Sequence, residues 1–426
     1  LLSSTNPKGA NTPLFLLFLA NAISGFSQGL SMLAIPWYFA RNNQSSTFTF
    51  AYGIITLIVL VFGLYAGTLV DRFSRKRNFL ATNLVCGILI FAIAAAGYYY
   101  QSLPPFFVIA VFAITLLNYN IHYPTLYAFA HEITPPENYQ KVNSWIEVVG
   151  QSTSILSGAL AALLLDGVNP AAGKLAGFAF PFHLHIPQWE IWEIFMLDAC
   201  TYFIASLLIA NIKYTPHLKT NIELGSVFKR IKTGFAYLKQ HKNLLIFGVF
   251  SYAVFATVLI CIHSLLPIYV EKHLQEDGSV FAMADLIYAI GALGAGLFAG
   301  KVFGSNQTLK AVIGLTFLAA LLFLWGYLAK EVWVIYVFCI LLGFSNAGIR
   351  VLRLTYFFQY IPNEVMGRVN SIFNMSNVLT RSLFIFLFAL PFFTSATGVL
   401  YAFLTLSVYL AISGIVLLQS IPKKSS

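Results

Sequence analysis

Twelve stretches of this chain are each long and apolar enough to cross a lipid bilayer, and no other feature restricts its fold so sharply. A helix rising 1.5 Å per residue needs about twenty apolar residues to span the hydrocarbon core. The runs lie at 14–40, 47–70, 79–100, 104–131, 142–165, 191–212, 243–270, 280–303, 309–329, 332–358, 369–393 and 397–420. In hydrocarbon each backbone N–H and C=O must be satisfied within the chain, so runs of this kind fold as helices. The expected fold class is an all-α integral membrane protein of twelve transmembrane helices. Charged residues make up only 9% of the 426 and hydrophobic ones 58%, too little charge to coat a soluble protein of that length. The 40 Phe and 22 Tyr suit surfaces that face lipid and its interfaces.

The formal net charge of +10 could suggest nucleic acid, but the basic residues occupy short loops between apolar runs, a signature of membrane topology. Eighteen of the 25 Lys and Arg fall in the terminal tails and even-numbered loops, and only Arg41, Lys174, Lys272 and Lys330 in the odd-numbered ones. Cytoplasmic loops retain positive charge. Both termini are therefore expected in the cytoplasm, in a multi-pass protein of the cell inner membrane. The first apolar run is too long for a cleaved signal and has no small-residue cleavage site. Cys86, Cys200, Cys261 and Cys339 sit within apolar runs and read as small buried hydrophobes.

Short matches recur in the two halves. Gly63-Leu64-Tyr65-Ala66-Gly67 closes the second run and Gly296-Leu297-Phe298-Ala299-Gly300 the eighth; Lys141-Val142-Asn143-Ser144 opens the fifth and Arg368-Val369-Asn370-Ser371 the eleventh. Equivalent placement in two six-helix halves is how many transporters are built, with the substrate site between the halves near the midplane. The expected domains are a six-helix bundle at 1–212, a linker at 213–242 and a second bundle at 243–426. The linker is basic and carries Phe228, Ile231, Phe235 and Leu238 at helical spacing, which predicts an amphipathic helix along the inner membrane face. His183 and His185 have no Cys or acid close by and read as a solvated loop.

After the second run comes Gly67-Thr68-Leu69-Val70-Asp71-Arg72-Phe73-Ser74-Arg75-Lys76-Arg77. A basic cluster stops any translocating chain, yet it does not need an acid four residues after a glycine. The stretch resembles the signature loop between the second and third helices of the major facilitator superfamily, with Ser74 where the family usually has a second glycine. The resemblance implies two pseudo-symmetric six-helix bundles, and a latch that holds the cytoplasmic side closed. Gly67 would allow close helix approach, Asp71 would cap a helix or pair with bases, and Arg72, Arg75, Lys76 and Arg368 would hold inner-face carboxylates. Tyr123-Pro124-Thr125, Phe195-Met196-Leu197-Asp198-Ala199, Leu265-Leu266-Pro267-Ile268-Tyr269-Val270 and Gly367-Arg368-Val369-Asn370-Ser371 are similar to the bacterial macrolide-efflux and siderophore-export branch. Two departures stand out. The fifth run lacks the Gly-Pro of drug/proton antiporters, and the fourth has His122 where many of them carry an arginine.

Polar residues within the spans are costly and usually face the bundle interior or a watery cavity. Steps of three and four put Asn21, Ser24, Gln28 and Ser31 on one face of the first span, and Thr115, Asn118, His122 and Thr125 on one face of the fourth. Asn143, Glu147, Gln151 and Ser154 do the same in the fifth, and Asn370, Asn374, Asn377 and Arg381 in the eleventh. Packing contacts between helices explain the Ser and Thr members as well as a pathway does. Arg350 and Arg353 share a face of the tenth span; Arg353, near its inner end, can snorkel to lipid phosphate. Arg350 and Arg381 are the candidates for holding an anion, because Asp285 lies toward the outer end of the eighth span and no deeper acid of the second half faces them. Glu147 serves either the latch or proton coupling, Asp198 a structural role, and His263 either titration or core packing.

These residues point to a secondary carrier for an organic, anionic or amphiphilic solute, working by alternating access, coupled to an ion gradient with the proton as the expected ion. The expected partners are that solute and membrane lipid, with no cofactor, and the chain is expected to act as a monomer. Efflux is the leading direction; uptake of a carboxylate siderophore or a lysophospholipid is the alternative. A metal-ion carrier built on His122 and His263 lacks deep carboxylate ligands. A membrane enzyme would need a catalytic constellation, and a primary pump a phosphate-binding nucleotide loop; neither pattern occurs.

Overall fold

A computed structural model describes residues 11–168, 174–179, 185–213, 227–302 and 308–420. The helices are α1 (Asn11–Arg41), α2 (Ser45–Arg72), α3 (Arg75–Tyr100), α4 (Pro105–Glu132), α5 (Tyr139–Asp166), α6 (Ile191–Ala210) and α7 (Val227–Gln240). They are followed by α8 (Lys242–Leu274), α9 (Gly278–Val302), α10 (Thr308–Leu328), α11 (Val332–Tyr360), α12 (Asn363–Phe388) and α13 (Gly398–Leu418). Among the described residues eleven helices are long and apolar enough to span a bilayer; α5 qualifies only over Leu156–Asp166, as a shorter apolar helix. The all-α membrane fold stands, with twelve spans as the expectation and eleven as the finding.

Local chemistry sets the helix ends. Ser74 caps α3 by accepting from the Arg77 N–H at 3.4 Å. Glu190 and Glu193 form a capping box at the start of α6. Within α8, Pro267 cannot donate to the preceding turn, and π-helical segments at Cys261–Leu265 and Tyr269–Leu274 flank it.

Two compact units emerge. The first comprises Leu1–Ile35, Val61–Gly167 and Ile186–Leu224. Its core joins Leu17 of α1, Phe79 of α3, Leu126 and Phe129 of α4, Val142 and Ile146 of α5, and Ala205 and Ile209 of α6, all buried. The second comprises Pro36–Leu60, Val168–His185 and Gly225–Ser426. There α9 and α11 cross at glycines on both sides: a Cβ on Gly291 would stand 2.0 Å from the Ile340 carbonyl oxygen, and one on Gly343 2.1 Å from that of Tyr288. Small residues let backbones meet this closely, which is how helices associate without a hydrophobic driving force. In the same unit Ser407 of α13 donates to the Ala320 carbonyl of α10 at 2.7 Å. A hairpin of two-residue strands, Lys174–Leu175 and Phe178–Ala179, is fixed by the Ala176 N–H donating to Ser279 Oγ and by the Tyr336 hydroxyl donating to the Ala176 carbonyl.

The linker helix α7 exists, and its apolar residues divide between two faces. Leu238 is buried while Phe235 is 56% exposed. Gly234 abuts α12, where an added Cβ would meet Ile372 at 2.9 Å and the Arg368 carbonyl at 3.0 Å. Phe228 and His183 lie outside the described side chains, and His185 is exposed. Three of the four cysteines are buried; Cys200 is exposed on the apolar surface of α6.

Candidate functional site

In the first unit the polar stripes of α1 and α4 turn inward. Asn21, Ser24, Gln28 and Ser31 are all buried, as are Thr115, Asn118, His122 and Thr125. His122 Nε2 donates to Asn21 Oδ1 at 2.9 Å, with the Phe79 ring edge-on to the imidazole at 4.8 Å. Asn118 Nδ2 donates to the Tyr202 hydroxyl of α6 at 3.2 Å, and Ser31 Oγ to Asp198 Oδ2 at 2.7 Å. Ser24 bonds back to the Ala20 carbonyl and serves its own helix. Several buried atoms here have no hydrogen-bond partner: Ser27 Oγ, Gln28 Nε2, Thr115 Oγ1, Asn118 Oδ1, His122 Nδ1, Thr125 Oγ1 and Asp198 Oδ1. Buried polar atoms are usually paired, so this cluster is ready to hydrogen-bond water or a polar ligand. Glu147 and Gln151 lie on α5, outside the described side chains.

In the second unit Arg381 of α12 is half-buried, and its Nε is shut away without a hydrogen-bond partner. It lies within electrostatic reach of Tyr52 on α2 and His263 on α8, whose rings meet edge-on at 6.0 Å. Beside them Thr49 and Ser264 share a hydrogen bond of 2.8 Å. One turn before Arg381, Asn377 is buried with its Oδ1 unpartnered, while Asn374 is exposed. Arg381, His263 and Tyr52, with Thr49 and Ser264 beside them, thus form one polar cluster, and Asn377 lies one turn away on α12.

Arg350 and Arg353 part company. Arg350 is exposed. Arg353 is 4% exposed, donates from Nη1 to the Ser251 carbonyl at 2.9 Å, and stacks its guanidinium 3.5 Å from the centre of the Tyr252 ring. It does not snorkel, because a buried aromatic face and a carbonyl at Ser251–Tyr252, where a turn breaks the helical run of α8, already hold it. The Tyr252 hydroxyl in turn donates to Asn370 Oδ1 at 3.2 Å. Asp285, near the start of α9 as expected from the sequence, is buried at 6% exposure.

The signature loop is partly described. Gly67, Asp71 and Arg72 end α2, with side chains outside the description, and Arg368 is half-buried on α12. Arg75 makes an ion pair with Glu132 at the end of α4, Nε to Oε1 3.4 Å. Lys76 departs from the expected carboxylate: its Nζ donates to the Ala210 and Ile212 carbonyls at 2.7 Å each, closing the C-terminal end of α6. Glu132 was not singled out from the sequence, although an acid at the end of the fourth run, at the same membrane edge as the loop, is a usable signal. Tyr52 and Thr49 carried none, since aromatic and hydroxyl residues are common throughout. Among the described residues no three His, Cys, Asp or Glu side chains gather as a metal site.

Comparison with known proteins agrees with this arrangement. The family model of the Major Facilitator Superfamily matches residues 17–385. Macrolide efflux protein A of Streptococcus pyogenes is 24% identical over 413 residues, covering 93% of this chain and 94% of that protein. The enterobactin exporter EntS of Escherichia coli O1:K1 is 25% identical over 373 residues, covering 85% and 81%. Among solved structures, the nucleoside transporter NupG superposes with a TM-score of 0.70 at 13% identity, covering 97% of this chain and 100% of that one. A bacterial homologue of the iron transporter ferroportin, in an inward-facing state, gives 0.69 at 12% identity, covering 96% and 99%.

Proposed function

Because this chain belongs to the Major Facilitator Superfamily and is a multi-pass membrane transporter, we propose that its cargo is an organic, anionic or amphiphilic solute, expelled by alternating access at the expense of a proton gradient. The orientation that goes with this reading places both termini in the cytoplasm and the carrier, as a monomer, in the inner membrane. Export is supported by the relatives, an efflux protein and an exporter. The observation that carries the anionic cargo is Arg381. A guanidinium within a span costs roughly 2.5–3.5 kcal/mol on translocon scales, and its Nε here has no partner. A carboxylate or phosphate of the solute would supply one, with two parallel hydrogen bonds from the planar fork. The Tyr52–His263 pair within electrostatic reach of the guanidinium, and Asn377 one turn earlier on α12, offer further polar groups to the same solute.

The test is binding and thermal melting of purified Arg381→Ala and Arg381→Lys against a panel of organic anions, siderophores, lysolipids and neutral drugs. Arg381→Ala is expected to lose at least tenfold in affinity for anions while keeping its affinity for neutral compounds, and Arg381→Lys to fall between. Full affinity for an anionic ligand in Arg381→Ala would remove the anchor.

A further inference from the structure

A cavity rimmed by lysines lies in the second unit, outside the Arg381 cluster and with no part in the proposed transport site. It measures about 1060 Å³ and opens where five helices end. Its wall is built from the end of α7 and start of α8 (Lys239 to Leu244), the start of α10 (Thr308 to Lys310), the end of α11 (Tyr356, Gln359, Tyr360) and Ser420 beyond α13. Lys239, Lys242 and Lys310 are exposed side chains around it, and no carboxylate is among the described residues that line it. The start of α10 adds the positive end of the helix dipole. Beside these charges Ser420, 2% exposed, is one of the lining residues, and its buried hydroxyl has no hydrogen-bond partner.

We infer that this cavity is a binding site for the phosphate headgroup of an anionic membrane lipid. Three ammonium groups without a carboxylate select an anion. Position selects the lipid over free phosphate: the cavity sits at the ends of membrane spans, at the depth where headgroups lie, and basic pockets between spans hold such headgroups. Its volume is at the upper end of small-molecule sites, room for a headgroup with its glycerol and not only a phosphate ion. Tyr356 and Tyr360, rings 4.4 Å apart, present amphipathic faces suited to that interface. The bound lipid would tie the linker helix α7 to α8, α10 and α11, so occupancy should raise the stability of the whole unit.

The full-length protein is reconstituted in nanodiscs of phosphatidylcholine alone or with phosphatidylglycerol, and its melting temperature is followed; lipid retained by the detergent-purified protein is weighed by native mass spectrometry. Phosphatidylglycerol should raise the melting temperature of the wild type and of Lys330→Gln, a lysine outside the cavity. Lys242→Gln/Lys310→Gln should melt like the wild type in phosphatidylcholine and lose the increment, with retained phosphatidylglycerol bound about twenty-five-fold more weakly, from roughly a five-fold loss per lysine. Lys242→Arg/Lys310→Arg should restore it. An unchanged increment in the Gln double variant overturns the site. So does stabilisation by inorganic phosphate equal to that by phosphatidylglycerol, which would assign the cavity to a soluble anion.

Discussion

Arg353 and Arg381 carry the same charge inside one unit, yet their surroundings give them different work. Arg353 has a carbonyl acceptor and an aromatic face, so its charge is spent on holding α11 to the break in α8. Removing it should cost about 2–5 kcal/mol, the sum of a cation–π contact and a charged hydrogen bond. Arg353→Ala is therefore expected to lower the melting temperature with and without any solute. Arg381→Ala should leave the unliganded melting temperature nearly unchanged, because nothing bonds to its Nε. Equal destabilisation by the two variants would mean that Arg381 is a structural cation as well. Asp198 belongs with Arg353 in this respect. Its Oδ2 accepts from Ser31 and ties α6 to α1, so Asp198→Asn, which keeps that acceptor, should melt as the wild type does, whereas Asp198→Leu leaves a buried hydroxyl without its acceptor and should lose about 1–3 kcal/mol.

Among elements, the crossing of α9 and α11 is the least tolerant of change. A side chain at Gly343 or Gly291 meets a backbone carbonyl, which cannot rotate aside. Gly343→Val should part the two helices, at a cost of about 1–3 kcal/mol or more. Gly314→Ala on α10, where nothing lies within 4 Å of the added carbon, should be silent. Thermal melting of the two in detergent compares them directly. The loop between α2 and α3 is an element of another kind, joining three helix ends through Arg75–Glu132 and the Lys76 contacts to α6. A double-mutant cycle on Arg75 and Glu132 should give a coupling energy above that of exposed pairs, about 1–3 kcal/mol, since the two side chains are only 9% and 19% exposed. Asp71→Asn is expected to impair transport without blocking membrane insertion. Unaltered transport, together with unaltered labelling of a cysteine probe placed at that membrane edge, would take the latch role away from Asp71.

For the molecule as a whole the open quantity is the coupling ion. If the proton drives export, replacing the group that carries it should abolish uphill accumulation in proteoliposomes under a pH gradient while exchange of solute continues. The groups to replace are His122, bonded to Asn21, His263, beside Tyr52 and Arg381, and Glu147 of α5. One of His122→Gln, His263→Gln and Glu147→Gln is expected to show that split. Uphill transport surviving in all three would assign coupling to another ion or to other residues.

The sequence by itself determined that this chain is a helical membrane carrier, because span length, loop charge and the Gly67–Arg77 loop depend on local spacing along one strand of chain. Periodicity also determined that Asn21, Gln28, Asn118 and His122 are buried, since a polar stripe on a helix in lipid must turn away from hydrocarbon. Partnership was another matter. Which atom meets which depends on helix rotation and crossing, set by non-local packing such as the Gly291–Gly343 approach. Arg350 and Arg353 sit three residues apart on α11, yet one is exposed and the other is stacked on Tyr252, a residue about a hundred positions away. The same holds for Lys76 on carbonyls of α6 and for Leu238 turned inward on α7 while Phe235 faces out. In each case a cation or apolar side chain had several partners that would satisfy it equally well, and only the tertiary structure brought one of them within reach.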